Sequence, residues 1–125
     1  FNDTDIMDNY VTFMAGIFRS VRFGAASAHG KANMLTFSYF LQEGAFTRSE
    51  DGTYAINLEK MMEASRKLSG KILTAQGDGN YEAVKTWIET DGIVKPKLQA
   101  DLDRISEKGI PVDIYFNMGP DVLGL

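Results

Sequence analysis

His29 is the only imidazole in the chain, and it sits in the run Ser27-Ala28-His29-Gly30-Lys31-Ala32-Asn33. An imidazole N–H can donate to a substrate carbonyl or to an oxyanion that develops on it. Placed on a helical wheel at about 100° per residue, His29 shares an arc with Asn33 and Thr36. Spacing i, i+4 keeps His29 and Asn33 on one face, where the amide can orient the same ligand. Two readings of His29 are open. It is a core or boundary histidine satisfied by a carbonyl, or it is presented to a cleft. A single histidine excludes any site within the chain that needs two imidazoles. The absence of cysteine excludes disulfides, thiolate zinc sites and thiol nucleophiles.

Other patterns come close to known chemistry and stop short. Gly24 to Lys31, G-A-A-S-A-H-G-K, has one residue too many between its glycines for a phosphate-binding loop. Ala32 replaces the magnesium-binding hydroxyl, and no strand leads in. Asp78, Asn80, Glu82 and Glu89 match parts of a calcium loop, but Ala83 occupies the turn-glycine position and a helical period runs through the segment. Capping and the helix dipole explain those acidic residues. Asp101 and Asp103 are spaced i, i+2 and do not face each other, so both are expected to be solvated. Met61 and Met62 have core spacing. There is neither an H-E-x-x-H motif nor a nucleophile elbow. The residues alone complete no catalytic site and no metal site.

The elements that must position these residues are mostly helices. Ile6, Tyr10, Phe13, Ile17 and Val21 mark a first amphipathic helix, with Asp3 or Asp5 as N-cap. Gly24 interrupts it. A second helix spans about Ala25 to Glu43, and Gly44 suits its C-terminus. Ala28, Ala32, Leu35 and Tyr39 form one apolar stripe of that helix, and Met34, Phe37 and Leu41 form another. Ser27, Lys31, Ser38 and Gln42 fill a narrow polar arc. A helix apolar on two sides is expected to be central. Short alternating runs around Ser49-Glu50-Asp51-Gly52 predict a hairpin with Asp51-Gly52 at its tight turn. Asn57 caps a third helix that ends near Gln76-Gly77. A fourth carries Tyr81, Val84 and Ile88, and a fifth runs from Pro96 to Lys108-Gly109. Ile110 to Phe116 alternates and predicts an edge strand. The tail, Pro120 to Leu125, is expected to be irregular. The fold class is therefore mainly α, with about five helices, a small β hairpin and a C-terminal extended strand. No linker or repeat divides residues 1–125, so a single domain is expected.

The chain of 125 residues is 44% apolar and 24% charged, a balance that supports one buried core rather than disorder. Its net charge of −4 argues against general nucleic-acid binding. No run approaches the eighteen apolar residues of a membrane span. Phe1-Asn2-Asp3-Thr4-Asp5 lacks the basic and apolar regions of a signal peptide, so a cytoplasmic location is favoured over export. A start at Phe1 is read most simply as a vector-derived start, a processed chain or a fragment of a longer protein.

The segment Phe18-Arg19-Ser20-Val21-Arg22-Phe23-Gly24, running into Ala28-His29-Gly30-Lys31-Ala32-Asn33, resembles the dipeptidyl peptidase III family of zinc metallopeptidases. The likeness is to the bacterial and plant branch, some of whose members carry Nudix hydrolase names. It continues through Phe37 to Phe46, Gly52-Thr53-Tyr54, Leu98 to Leu102 and Ile110 to Ile114. In that family the zinc site is built upstream, from an H-E-x-x-G-H helix and an E-E-x-R-A-like helix. Neither occurs here. The resemblance implies the C-terminal part of a longer zinc peptidase that cleaves short peptides from the N-terminus. Its partners would be the remainder of that chain and a peptide substrate.

The resemblance also implies that His29 matches a histidine facing the active-site cleft near the scissile carbonyl. Better-known members carry an arginine four residues later, where this chain has Asn33. His29 and Asn33 are thus the expected substrate-binding residues. The attacking water would be bound to zinc in the parent protein, with the upstream glutamate as base. This chain alone is expected to hold no metal and to be inactive. The rival expectation is a non-catalytic helical interaction or regulatory module that uses the second helix or its Met/Phe-rich surfaces.

Overall fold

Short polar side chains open the first four helices. Each accepts a hydrogen bond from the backbone N–H three residues on, which satisfies a donor the helix itself leaves unpaired. The computed structural model describes residues 2–113 and 118–124. Asn2 caps α1 (Asp3–Val21). It forms a capping box: Asp5 N donates to Asn2 Oδ1 at 3.0 Å and Asn2 N donates to Asp5 Oδ2 at 3.1 Å. The cap is thus Asn2, and Asp5, expected as a cap itself, is its reciprocal partner. Ser27 caps α2 (Ala28–Gln42). Helix α2 begins three residues later than expected, because Gly24 turns the chain at φ +84° and Ser27 is extended. Asn57 caps α3 (Leu58–Asp78), and Asn80 caps α4 (Tyr81–Asp91). Pro96 occupies the first turn of α5 (Pro96–Glu107), where its missing N–H costs no helical bond.

Between α2 and α3 lies an antiparallel hairpin of β1 (Phe46–Arg48) and β2 (Tyr54–Ile56), pairing Phe46 with Ile56, Thr47 with Ala55 and Arg48 with Tyr54. Its loop is wider than a two-residue turn. Gly52 N donates to Ser49 O at 3.0 Å, and Ser49 N to Thr53 O at 2.9 Å. Glu50, Asp51 and Gly52 therefore make the loop, with Gly52 at φ +79°.

Helix α2 packs against α1, α3, α4 and β1, the central position expected of it. Met34, Phe37 and Phe40 of α2 join Ile17 and Val21 of α1, Phe46 of β1, Met61 and Leu68 of α3, and Leu98 and Leu102 of α5 in one apolar cluster. Each such side chain contributes roughly 1.5–3 kcal/mol on burial. Phe18, Phe37, Phe46 and Tyr54 add edge-on or tilted ring contacts, with Phe18 and Tyr54 centred 4.6 Å apart. Ser38, expected on a polar arc, is buried; its hydroxyl donates to Asp91 O at the end of α4, at 2.9 Å.

Two expectations for the C-terminal region change. Residues Ile110–Asp113 form no strand, and the rest of the expected strand, 114–116, lies outside the described residues. Pro120–Leu123, expected to be irregular, forms the single turn α6. Proline at its first position presets φ for helix. Among the described residues the fold is six helices and one two-stranded hairpin. No helix among them is long and apolar enough to cross a membrane.

Candidate functional site

The start of α2 holds the predicted residues. Val21, 1% exposed, fixes the end of α1 in the core. Gly24 N then donates to Val21 O at 3.0 Å, and the chain reverses. Ser27 Oγ accepts from Gly30 N at 3.0 Å and sets the first turn of α2. Within that turn Gly30 is buried while His29, next to it, is exposed. Asn33 lies one turn further along and is half-buried. In this chain His29 is therefore not packed in the core.

His29 and Asn33 lie outside four concavities formed by the described residues. A groove of about 670 Å³ runs between α1, the hairpin and α5, with Met7, Val11, Phe18, Tyr54 and Ile56 among its lining. Its lining is overwhelmingly apolar. A smaller cleft of about 300 Å³ between α2, α3 and α4 includes Ala32 and Thr36, the neighbours of Asn33 along α2.

A buried charged cluster forms where the sequence predicted a solvated aspartate. Asp101 on α5 is 3% exposed, not solvated. Arg48 Nε donates to its Oδ2 at 2.7 Å and Arg48 Nη2 to its Oδ1 at 2.8 Å. The Tyr54 hydroxyl donates to Oδ2 at 2.6 Å. Arg48 holds the carboxyl down at about 2 against the opposing effect of burial. Burial and the adjacent Asp101 carboxylate push the Tyr54 phenol up. A saturated carboxylate this acidic is a poor proton acceptor near neutral pH, so the cluster is structural. Arg104 extends it, donating to Asp51 O at 2.6 Å and Gly52 O at 2.8 Å, which ties α5 to the hairpin loop. Asp103, its neighbour in the sequence, is exposed and accepts from Gln99 at 2.8 Å.

The near-miss motifs resolve into local structure. Asp78 ends α3, Gly79 is left-handed at φ +61°, and Asn80 Oδ1 accepts from Ala83 N at 3.1 Å. This helix–cap–helix junction is not a calcium loop. Helix α1, not a strand, precedes Gly24. Among the described residues, no three His, Asp or Glu side chains come together in a way that could hold a metal ion.

This mainly helical fold is similar to part of two solved dipeptidyl peptidase III structures. The chain is similar to dipeptidyl peptidase III from Caldithrix abyssi, with 40% identity and a TM-score of 0.77 over 84% of this chain and 20% of that one. It is also similar to dipeptidyl-peptidase III from Corallococcus sp. strain EGB, with 36% identity and a TM-score of 0.78 over 85% of this chain and 19% of that one. The Arabidopsis thaliana protein named Nudix hydrolase 3 is 39% identical over 105 residues, 84% of this chain and 14% of that protein. No protein-family model matches.

In sequence and fold, then, this chain is similar to one part of dipeptidyl peptidase III. It spans about a fifth of the solved chains it matches. The Nudix name carried by the plant relative agrees with the branch that the A-H-G-K-A-N block pointed to.

Proposed function

We propose that this chain is the C-terminal, substrate-cleft segment of a dipeptidyl peptidase III-like zinc metallopeptidase that cleaves short peptides from the N-terminus. The observation that carries the reading is the 40% identity and TM-score of 0.77 to a dipeptidyl peptidase III over 84% of the chain. The residues described here do not fit a zinc site, since no suitable cluster of ligands forms among them. The metal and its catalytic glutamate are assigned to the remainder of the longer protein. His29 donates from its ring N–H to the substrate carbonyl or to the oxyanion that develops on it. Asn33, one turn along the same helix, orients the peptide through its amide. In place of an arginine it supplies no fixed positive charge, so anionic substrate groups are held less tightly than in family members with the cation.

The test is the longer protein itself. Its reading frame should contain an H-E-x-x-G-H motif upstream of Phe1. The purified protein should release dipeptides from the N-termini of short peptides and contain one zinc. Absence of the motif together with absence of dipeptide release would instead favour the non-catalytic interaction module. Exposed Phe23, at 55%, and Leu73, at 67%, offer surface for that role.

A further inference from the structure

We infer that Gly30, seated against the Gly24 carbonyl and latched by the Ser27 hydroxyl, is a positioning residue that sets where His29 is presented. The inference rests on the reading of His29 as the substrate-facing group.

The constraint at Gly30 is steric. Gly30 is buried in the first turn of α2, directly after exposed His29. A Cβ at Gly30 would overlap Gly24 O and crowd Ala25 Cα at 3.1 Å and Gly24 C at 3.2 Å. All three atoms are backbone, so no side chain can rotate away. The Gly24 end of this contact is fixed as well. Its N–H is bonded to Val21 O at 3.0 Å, Val21 is 1% exposed, and φ is +84°. Positive φ disfavours any other residue at Gly24. The spacing between the end of α1 and the first turn of α2 is therefore set by a residue without a side chain. From the other side, Ser27 Oγ holds Gly30 N at 3.0 Å, and Lys31 N donates to Ser27 O at 3.0 Å. His29 lies between Ser27 and Gly30, so a shift of either moves the imidazole. Gly30 and Ser27 need touch neither peptide nor metal. They act through the register of one helical turn, and displacements of about 1 Å are enough to matter to a donor aimed at a reacting carbonyl.

The experiment is a double-mutant cycle on the longer zinc-loaded protein, with kcat, KM, zinc content and thermal midpoint measured for each variant. Gly30→Ala is expected to lower kcat/KM roughly tenfold, with the same division between kcat and KM as His29→Ala. In the His29→Ala background, Gly30→Ala should change kcat/KM by less than about twofold, because the group it positions is gone. Losses that multiply would show that Gly30 acts on the fold alone and overturn the inference. A Gly30→Ala enzyme with full activity beside an impaired His29→Ala enzyme would also overturn it. If His29→Ala leaves kcat/KM unchanged, the functional reading of His29 fails, and this inference fails with it. Should Gly30→Ala not fold, Ser27→Ala removes the latch without adding atoms, and the same non-additivity with His29→Ala decides the question.

Discussion

Arg48 and Asp101, 53 residues apart in sequence, meet fork to fork: Nε donates to Oδ2 at 2.7 Å and Nη2 to Oδ1 at 2.8 Å. The carboxylate side chain is only 4% exposed, and Tyr54 occupies a further lone pair. Removing one partner of such a pair leaves the other buried without its counter-charge. Asp101→Ala is expected to destabilise the fold by about 3 kcal/mol, read as a lowered urea midpoint. A midpoint within error of the wild type would remove the clamp from the account.

The same pair gives a pH dependence. Asp101 titrates at about 2 in the fold, below its ordinary 3.8, chiefly because Arg48 hydrogen-bonds its charged form. A depressed carboxylate stabilises the fold fully above its unfolded pKa, and that stability is lost as pH falls through the folded one. The stability difference between wild type and Asp101→Asn should therefore be constant from pH 7 to about pH 4 and shrink between about pH 4 and pH 2. A difference that shrinks only above pH 5 would point to another group.

Gly52 sits where the hairpin loop meets α5. It has φ +79°, and a Cβ there would meet Arg104 Nη1 at 2.5 Å and Asp101 Oδ1 at 2.7 Å. Gly52→Val combines backbone strain with this crowding and should destabilise the fold by more than about 1 kcal/mol. An unchanged denaturation midpoint would contradict the loop geometry.

The sequence made the local features readable and left the tertiary ones hidden. Asn57 announces its cap through its own side chain, and the apolar spacing of Ile17, Val21, Met34 and Phe37 already gives the faces that pack. Asp101 was misread because its partner, Arg48, lies on a different element and leaves no periodic mark. Ser38 was misread for the same reason: its acceptor is the Asp91 carbonyl on α4. The start of α2 shifted because Gly24 and Ser27 outweigh the helical tendency of Ala25 and Ala26. For the candidate site, the wheel correctly put His29 and Asn33 on one helix. It carried no information on what stands opposite them, because helical period records only the helix's own faces.

In the proposed cleft Asn33 would make a neutral hydrogen bond to substrate, worth about 1 kcal/mol. In the longer enzyme Asn33→Ala should lower kcat/KM by roughly fivefold. A loss as large as that of His29→Ala would reverse the assigned ranking.

The chain should not take up zinc. With one histidine and no cysteine, the dialysed chain should hold no stoichiometric zinc, and a chelator should leave its melting temperature unchanged. One tightly bound zinc per chain would place a metal site here and undo the assignment of zinc to the rest of the protein.

The central claim is that His29 serves substrate rather than structure. It is decided by His29→Ala in the longer zinc-containing protein, with kcat/KM for dipeptide release and the thermal midpoint measured on the same preparation. The expected result is a fall in kcat/KM of about 10²-fold, the loss of one oxyanion-directed donor, with zinc content and midpoint unchanged. A lowered midpoint with nearly intact activity of the folded enzyme would contradict it.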